Sequence, residues 1–108
     1  MVSSADDSDF NYLNGTWTLV DGQTTTYNNN TYPVYQNGSY YLYMGPTYGK
    51  PRITTTIGAE YGWQFWYYGD SPNITHYVAG SEMTPTTLTG RWSNPNEDID
   101  TIITFTYQ

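Results

Sequence analysis

Nowhere in this chain do apolar residues recur at i, i+3, i+4 and i+7 over a helical length. Instead, short runs of β-branched and aromatic residues are broken by turn residues roughly every 8 to 12 positions. That punctuation predicts an all-β domain, an antiparallel β-sandwich or small barrel of about seven to eight short strands. Candidate strands are residues 15–20, in which Trp17 and Leu19 alternate with Thr16 and Thr18, then 23–27 after an Asp21-Gly22 turn. Asn28, Asn29 and Asn30 read as a polar loop. Residues 32–35 and 39–44 flank Asn37-Gly38, a type I′ hairpin signal. Further runs lie at 52–57, 63–68, 74–78, 87–92 and 101–107, with one short helical turn near 80–84. Residues 1–9, with Asp6, Asp7 and Asp9 and no apolar periodicity, read as a flexible lead-in to a single β-domain over 10–108.

A length of 108 residues fits one compact core. Three Lys or Arg against ten Asp or Glu give a net charge of −7, which argues against binding a phosphate backbone or an anionic membrane surface. No apolar run is long enough to span a bilayer, and the first ten residues lack the basic and apolar regions of a signal peptide. The absence of cysteine excludes a disulfide scaffold. Asn-x-Ser/Thr sequons stand at Asn14, Asn29, Asn37 and Asn73, about twice the number expected by chance, and make these four the candidate glycosylation sites of an extracellular protein.

Thirteen tyrosines and four tryptophans exceed what a core this small can enclose on one face. Tyr40, Tyr41, Tyr43, Tyr61, Trp63, Trp66, Tyr67 and Tyr68 include adjacent pairs, and neighbours on a strand point to opposite faces. Some rings therefore reach the surface, where they suit sugar faces or a protein partner. Alternation places Trp63, Phe65 and Tyr67 inward and Gln64, Trp66 and Tyr68 outward. An aromatic platform of Trp66 and Tyr68, edged by Gln64, Asp70 and Asn73, is the leading ligand site. Tyr41 and Tyr43 form a second pair, opposite a core face of Tyr40, Leu42 and Met44.

Leu13-Asn14-Gly15-Thr16-Trp17 and Leu88-Thr89-Gly90-Arg91-Trp92 share the pattern Leu-x-Gly-x-Trp, in which each Gly lets a Trp cover the core. Together with residues 33–43 (PVYQNGSYYLY) and Thr84-Pro85, these segments resemble a small Tyr/Thr-rich module of secreted proteins from marine invertebrates, protists and algae. That module reads LNGTY…PVY.NG.YYLY…W.I…A…TP…TG.W, and the likeness spans residues 12–93. It implies an extracellular β-domain and carries no settled activity. Where the module places a Trp-Val-Ile strand, this chain has Arg52-Ile53-Thr54. Leu-x-Gly-x-Trp is also similar to the first strand of lipocalin-like and avidin-like barrels.

Other polar groups read as structural. Glu97, Asp98 and Asp100 form an acidic turn without an EF-hand pattern. His76 is the only histidine, and neither Ser71 nor Ser81 sits in a Gly-x-Ser-x-Gly elbow. Glu60, Asp70 and Glu82 are the carboxylates a glycosidase would need, in a chain with little room for a deep cleft. The sequence thus predicts a non-catalytic extracellular recognition module that needs no cofactor, binding carbohydrate or an extracellular protein. The alternative is a filament, sheath or matrix subunit that assembles by strand addition through residues 1–9 or 99–108.

Overall fold

The computed structural model describes residues 1–69 and 77–108. Nine strands form one antiparallel sheet: β1 (Val2–Ala5), β2 (Gly15–Thr16), β3 (Thr18–Tyr27), β4 (Asn30–Asn37), β5 (Tyr40–Met44), β6 (Pro51–Thr54), β7 (Trp63–Tyr67), β8 (Gly90–Asn94) and β9 (Ile99–Thr106). A 3₁₀ segment (Ser8–Leu13) precedes β2, and a single helical turn, α1 (Pro85–Leu88), precedes β8. The order across the sheet is β2-β1-β9-β8-β7-β6-β5-β4-β3. Its two outer members are successive pieces of one stretch of chain, separated only by Trp17. The sheet therefore comes round on itself as a nearly closed barrel.

Trp17 holds this seam. Its backbone N–H donates to Met1 O (2.8 Å), and its indole Nε1–H donates to Ser3 Oγ (2.8 Å), which donates to Leu13 O (2.6 Å). Leu13, Trp17, Leu42, Met44, Ile53, Trp63, Phe65, Leu88, Trp92, Ile103 and Phe105 belong to one contiguous interior cluster. The inner face of the barrel is thus filled with side chains, as expected of a small barrel.

Both Leu-x-Gly-x-Trp segments serve the same local design. Leu13 ends the 3₁₀ segment and Leu88 ends α1, both fully buried, and each chain then enters a strand at Gly15 or Gly90. The intervening polar side chain ties each entry to its neighbour: Asn14 Oδ1 accepts from Ala5 N (2.6 Å), and Thr89 Oγ1 accepts from Phe105 N (2.8 Å). The Thr84-Pro85 start of α1 is a capping box, with Thr84 and Thr87 reciprocally bonded.

Several expectations shift. Residues 1–9 are not a loose lead-in: β1 pairs with β2 and β9, Asp6 Oδ1 accepts from Thr101 Oγ1 (2.9 Å) and Ile102 N (3.1 Å), and Asp7 caps the 3₁₀ segment. Backbone pairing hidden by polar side chains overrode the acidic composition. Asp21-Gly22 does not reverse the chain but lies in an irregular stretch between Leu19 and Thr24 of a continuous β3. The positive φ of a type I′ turn falls instead at Asn28 (50°) and Asn29 (67°), between β3 and β4. The second hairpin pairs Asn37 with Tyr40 around Gly38-Ser39, with positive φ at Gly38 only, the pattern of a type II′ turn. The predicted strand over 74–78 lies largely outside the described residues.

The terminal strands β1 and β9 each have a ladder partner on both sides. Neither segment singled out for strand addition is a sheet edge.

Candidate functional site: an aromatic cleft at the barrel mouth

Between β7 and β8, Phe65 pairs with Trp92 but Tyr67 pairs with Arg91, so Trp66 is the extra residue of a β-bulge. The bulge reverses the alternation beyond it. Trp66 is 47% exposed, and the Tyr67 ring lies beside it at 5.1 Å, outside the interior cluster. Tyr68 turns in against Phe65 (5.0 Å) and Tyr77 (6.1 Å). The platform expected from Trp66 and Tyr68 is therefore reduced to Trp66, since Tyr67 is buried and Tyr68 is half-buried against the core. Gln64 and Trp66 do share a shallow outer concavity with Ser93, Asn94, Asp98 and Asp100. Asp70, Ser71, Asn73 and His76 lie outside the described residues.

The second expected pair also changes. Tyr41 is half-buried, whereas Tyr43 is fully buried under the β6–β7 connection, its hydroxyl 2.8 Å from Thr54 Oγ1, 3.0 Å from Thr56 O and 2.7 Å from Ala59 O. Alternation pointed Tyr43 away from the core, but the following loop folds back over it. Tyr43 cannot meet a ligand there; it anchors the loop that carries Tyr61. Glu60 helps to fix the same loop, accepting from Thr47 N (2.9 Å) and pairing with buried Arg52 (2.8 Å). That pairing occupies Glu60, which sequence had singled out as a carboxylate for catalysis.

A concavity of about 290 Å³ lies at the end of the barrel beside the 3₁₀ segment. This is near the lower end for small-molecule sites, and barrel mouths commonly house them. Tyr12, Tyr40, Tyr61 and Trp63 line it together with Asn94, Asn96 and Glu97. The aromatic wall is pre-organised. Tyr12 stacks on Tyr40 (5.6 Å, 30°), Phe10 meets Trp63 edge-on (5.2 Å), and Trp63 Nε1–H donates to Tyr12 Oη (3.2 Å).

The polar side comes from the β8–β9 turn. Asn96 Oδ1 accepts from Gly62 N (3.2 Å), and Asn94 Nδ2 donates weakly to Glu97 Oε2 (3.4 Å). Asn94 is only 7% exposed, yet its buried Oδ1 meets no donor among the described residues. A buried acceptor left unpaired costs stability.

Burial pushes the Tyr12 phenol above its ordinary range; the Trp63 hydrogen bond opposes the rise, and the fields of Tyr40 and Glu97 add to it. Burial likewise raises Tyr43, against the Thr54 hydrogen bond and the Arg52 charge, and raises Tyr77 well above the usual phenol range. Each of these phenols gives up its proton more readily in the unfolded chain than in the folded one. Their contribution to stability is therefore complete below the ordinary phenol pKa of about 10 and is lost as pH rises above it. Urea midpoints should stay level up to about pH 9 and fall beyond about pH 10, less steeply in Tyr77→Phe. A level midpoint through that alkaline range would contradict the assignment.

Among the candidate glycosylation sites, Asn29 is exposed in its turn, Asn14 is tied to Ala5 N, and Asn37 Nδ2 donates to Asn14 O (3.0 Å). Asn73 lies outside the described residues. Asp100 of the acidic turn pairs with Arg91 (2.8 Å), and no group of three or more His, Cys, Asp or Glu among the described residues is placed to hold a metal ion.

Sequence reasoning named Tyr61 and Trp63 as aromatics and Glu97 as part of an acidic turn, but it did not join them. It missed Tyr12 and Asn94. The available signals were the position of Tyr12 beside the first Leu-x-Gly-x-Trp and the Asn94-Pro95-Asn96 turn. Comparison of the chain with protein-family models, with curated proteins and with solved structures finds no match.

Proposed function

We propose that this protein is a non-catalytic, extracellular carbohydrate-recognition module whose binding site is the Tyr12–Tyr40–Tyr61–Trp63 cleft. The observation that carries this reading is a held aromatic wall facing the polar side chains Asn96 and Glu97 in one concavity. Apolar sugar faces stack on aromatic rings, while sugar hydroxyls pair with the polar groups at the rim. The four sequons and the scarcity of cations are in keeping with an extracellular setting, and the Gln64–Trp66 concavity, which shares Asn94, would extend the contact surface.

Tyr61 is 51% exposed, so Tyr61→Ala should leave folding nearly intact and weaken oligosaccharide binding about tenfold or more by titration calorimetry. Trp66→Ala should weaken it less. Equal binding by the wild type and Tyr61→Ala would remove the cleft from consideration.

A further inference from the structure

We infer that the cleft selects amine-bearing sugars, with the protonated amino group of a glucosamine-type residue set between the aromatic faces and the Glu97 carboxylate. This rests on the carbohydrate reading of the same cleft and goes beyond it by fixing the charge of the ligand.

The polar lining carries one carboxylate, Glu97, and no cationic side chain. Asn96 Oδ1 already accepts from Gly62 N and Thr54 Oγ1 is engaged with Thr56 O (2.7 Å), which leaves Glu97 as the charged acceptor of the lining. Glu97 adjoins Asn94 on the side of the cleft formed by the β8–β9 turn. A neutral hydroxyl supplies one donor to this carboxylate. An ammonium group supplies up to three, and charge-assisted bonds are roughly twice as strong as neutral ones.

The opposite wall favours the same charge. Faces of Tyr and Trp attract cations, and four such residues line the cleft. None of the chain's three cations does so: Arg52 is paired with Glu60, Arg91 with Asp100, and Lys50 lies in the β5–β6 connection. The net charge of −7 adds a field that draws cations and repels uronic or sulfated sugars.

The test compares β-1,4-linked tetramers of glucosamine, N-acetylglucosamine and glucose by titration calorimetry, in mildly acidic buffer where the sugar amine carries its proton. The glucosamine tetramer should bind about tenfold more tightly than the other two, and added salt should narrow the gap. In Glu97→Gln, an exposed turn position, the ratio should drop to about threefold or less. A ratio unchanged in Glu97→Gln would assign the preference to the overall charge and overturn the inference. Equal or tighter binding of a neutral tetramer would overturn it too, while leaving the carbohydrate reading standing. Binding of none of the three would overturn both.

Discussion

Trp17→Ala should lose about 3–5 kcal/mol of stability, the range for a fully packed Trp truncated to Ala. Trp17 is 2% exposed and contacts the interior cluster, so the substitution opens a cavity where the two ends of the sheet meet. It also removes the indole donor to Ser3 Oγ, in the short chain of hydrogen bonds that ends at Leu13 O. A domain of this size commonly has about 5–15 kcal/mol in total, so the variant should sit close to unfolding at ambient temperature. Trp17→Phe keeps most of the ring and loses only the indole donor, and should cost clearly less. Denaturant midpoints for the pair would separate packing from hydrogen bonding. Similar losses for both would mean that the hydrogen bond, not the ring, closes the seam.

The second large effect is expected at Gly90. A Cβ built there would collide with Tyr67 O and would lie 3.0 Å from Tyr68 Cα and 3.1 Å from Phe65 Cζ. Two of these are backbone atoms of the bulged strand and cannot rotate away. Gly90→Ala must therefore push β7 off β8, at a cost of about 1–3 kcal/mol or more. The bulge also sets which aromatics face outward, so any adjustment should change the exposure of Trp66. Gly38→Ala provides the comparison. No atom crowds the Cβ site there, so its cost would come from the left-handed φ of 60° alone and should stay near 1 kcal/mol. Thermal melts that rank Gly38→Ala as the more damaging would contradict this account of the bulge.

These two positions also mark where sequence reading succeeds and fails. Leu-x-Gly-x-Trp could be read as a core device because it combines a small residue with a large one at fixed spacing, and both copies play that part. Among the described residues, strand existence was legible where Thr, Ile, Val and Tyr ran between turn residues, as at 39–44 and 101–107. Burial along β7 follows the expected alternation, but Tyr68 beyond it turns in, because the extra residue at Trp66 follows from tertiary pairing with β8. The burial of Tyr43 was hidden for a related reason: a connecting loop, not a strand, covers it. The short strand β1 carries Ser3 and Ser4 between Val2 and Ala5, too little apolar pattern to stand out beside the aspartates that follow.

The cleft was the hardest feature to foresee. Tyr12, Tyr40, the Tyr61-Gly62-Trp63 segment and Asn94 come from four separate stretches of chain, and only the folded sheet brings them together. Each had an ordinary local reading, Tyr40 as a core residue and Glu97 as part of a solvated turn. The excess of tyrosine announced a contact surface without locating it.

The most direct measurement is an amide and indole chemical-shift map during titration with the glucosamine tetramer. The largest changes are expected at the Trp63 indole N–H, the Gly62 amide and the Asn94 side-chain amide, with the Trp17 and Trp92 indoles nearly still. Changes centred on the Tyr41 face, or none at saturating tetramer, would contradict the assignment of the barrel mouth as the binding site.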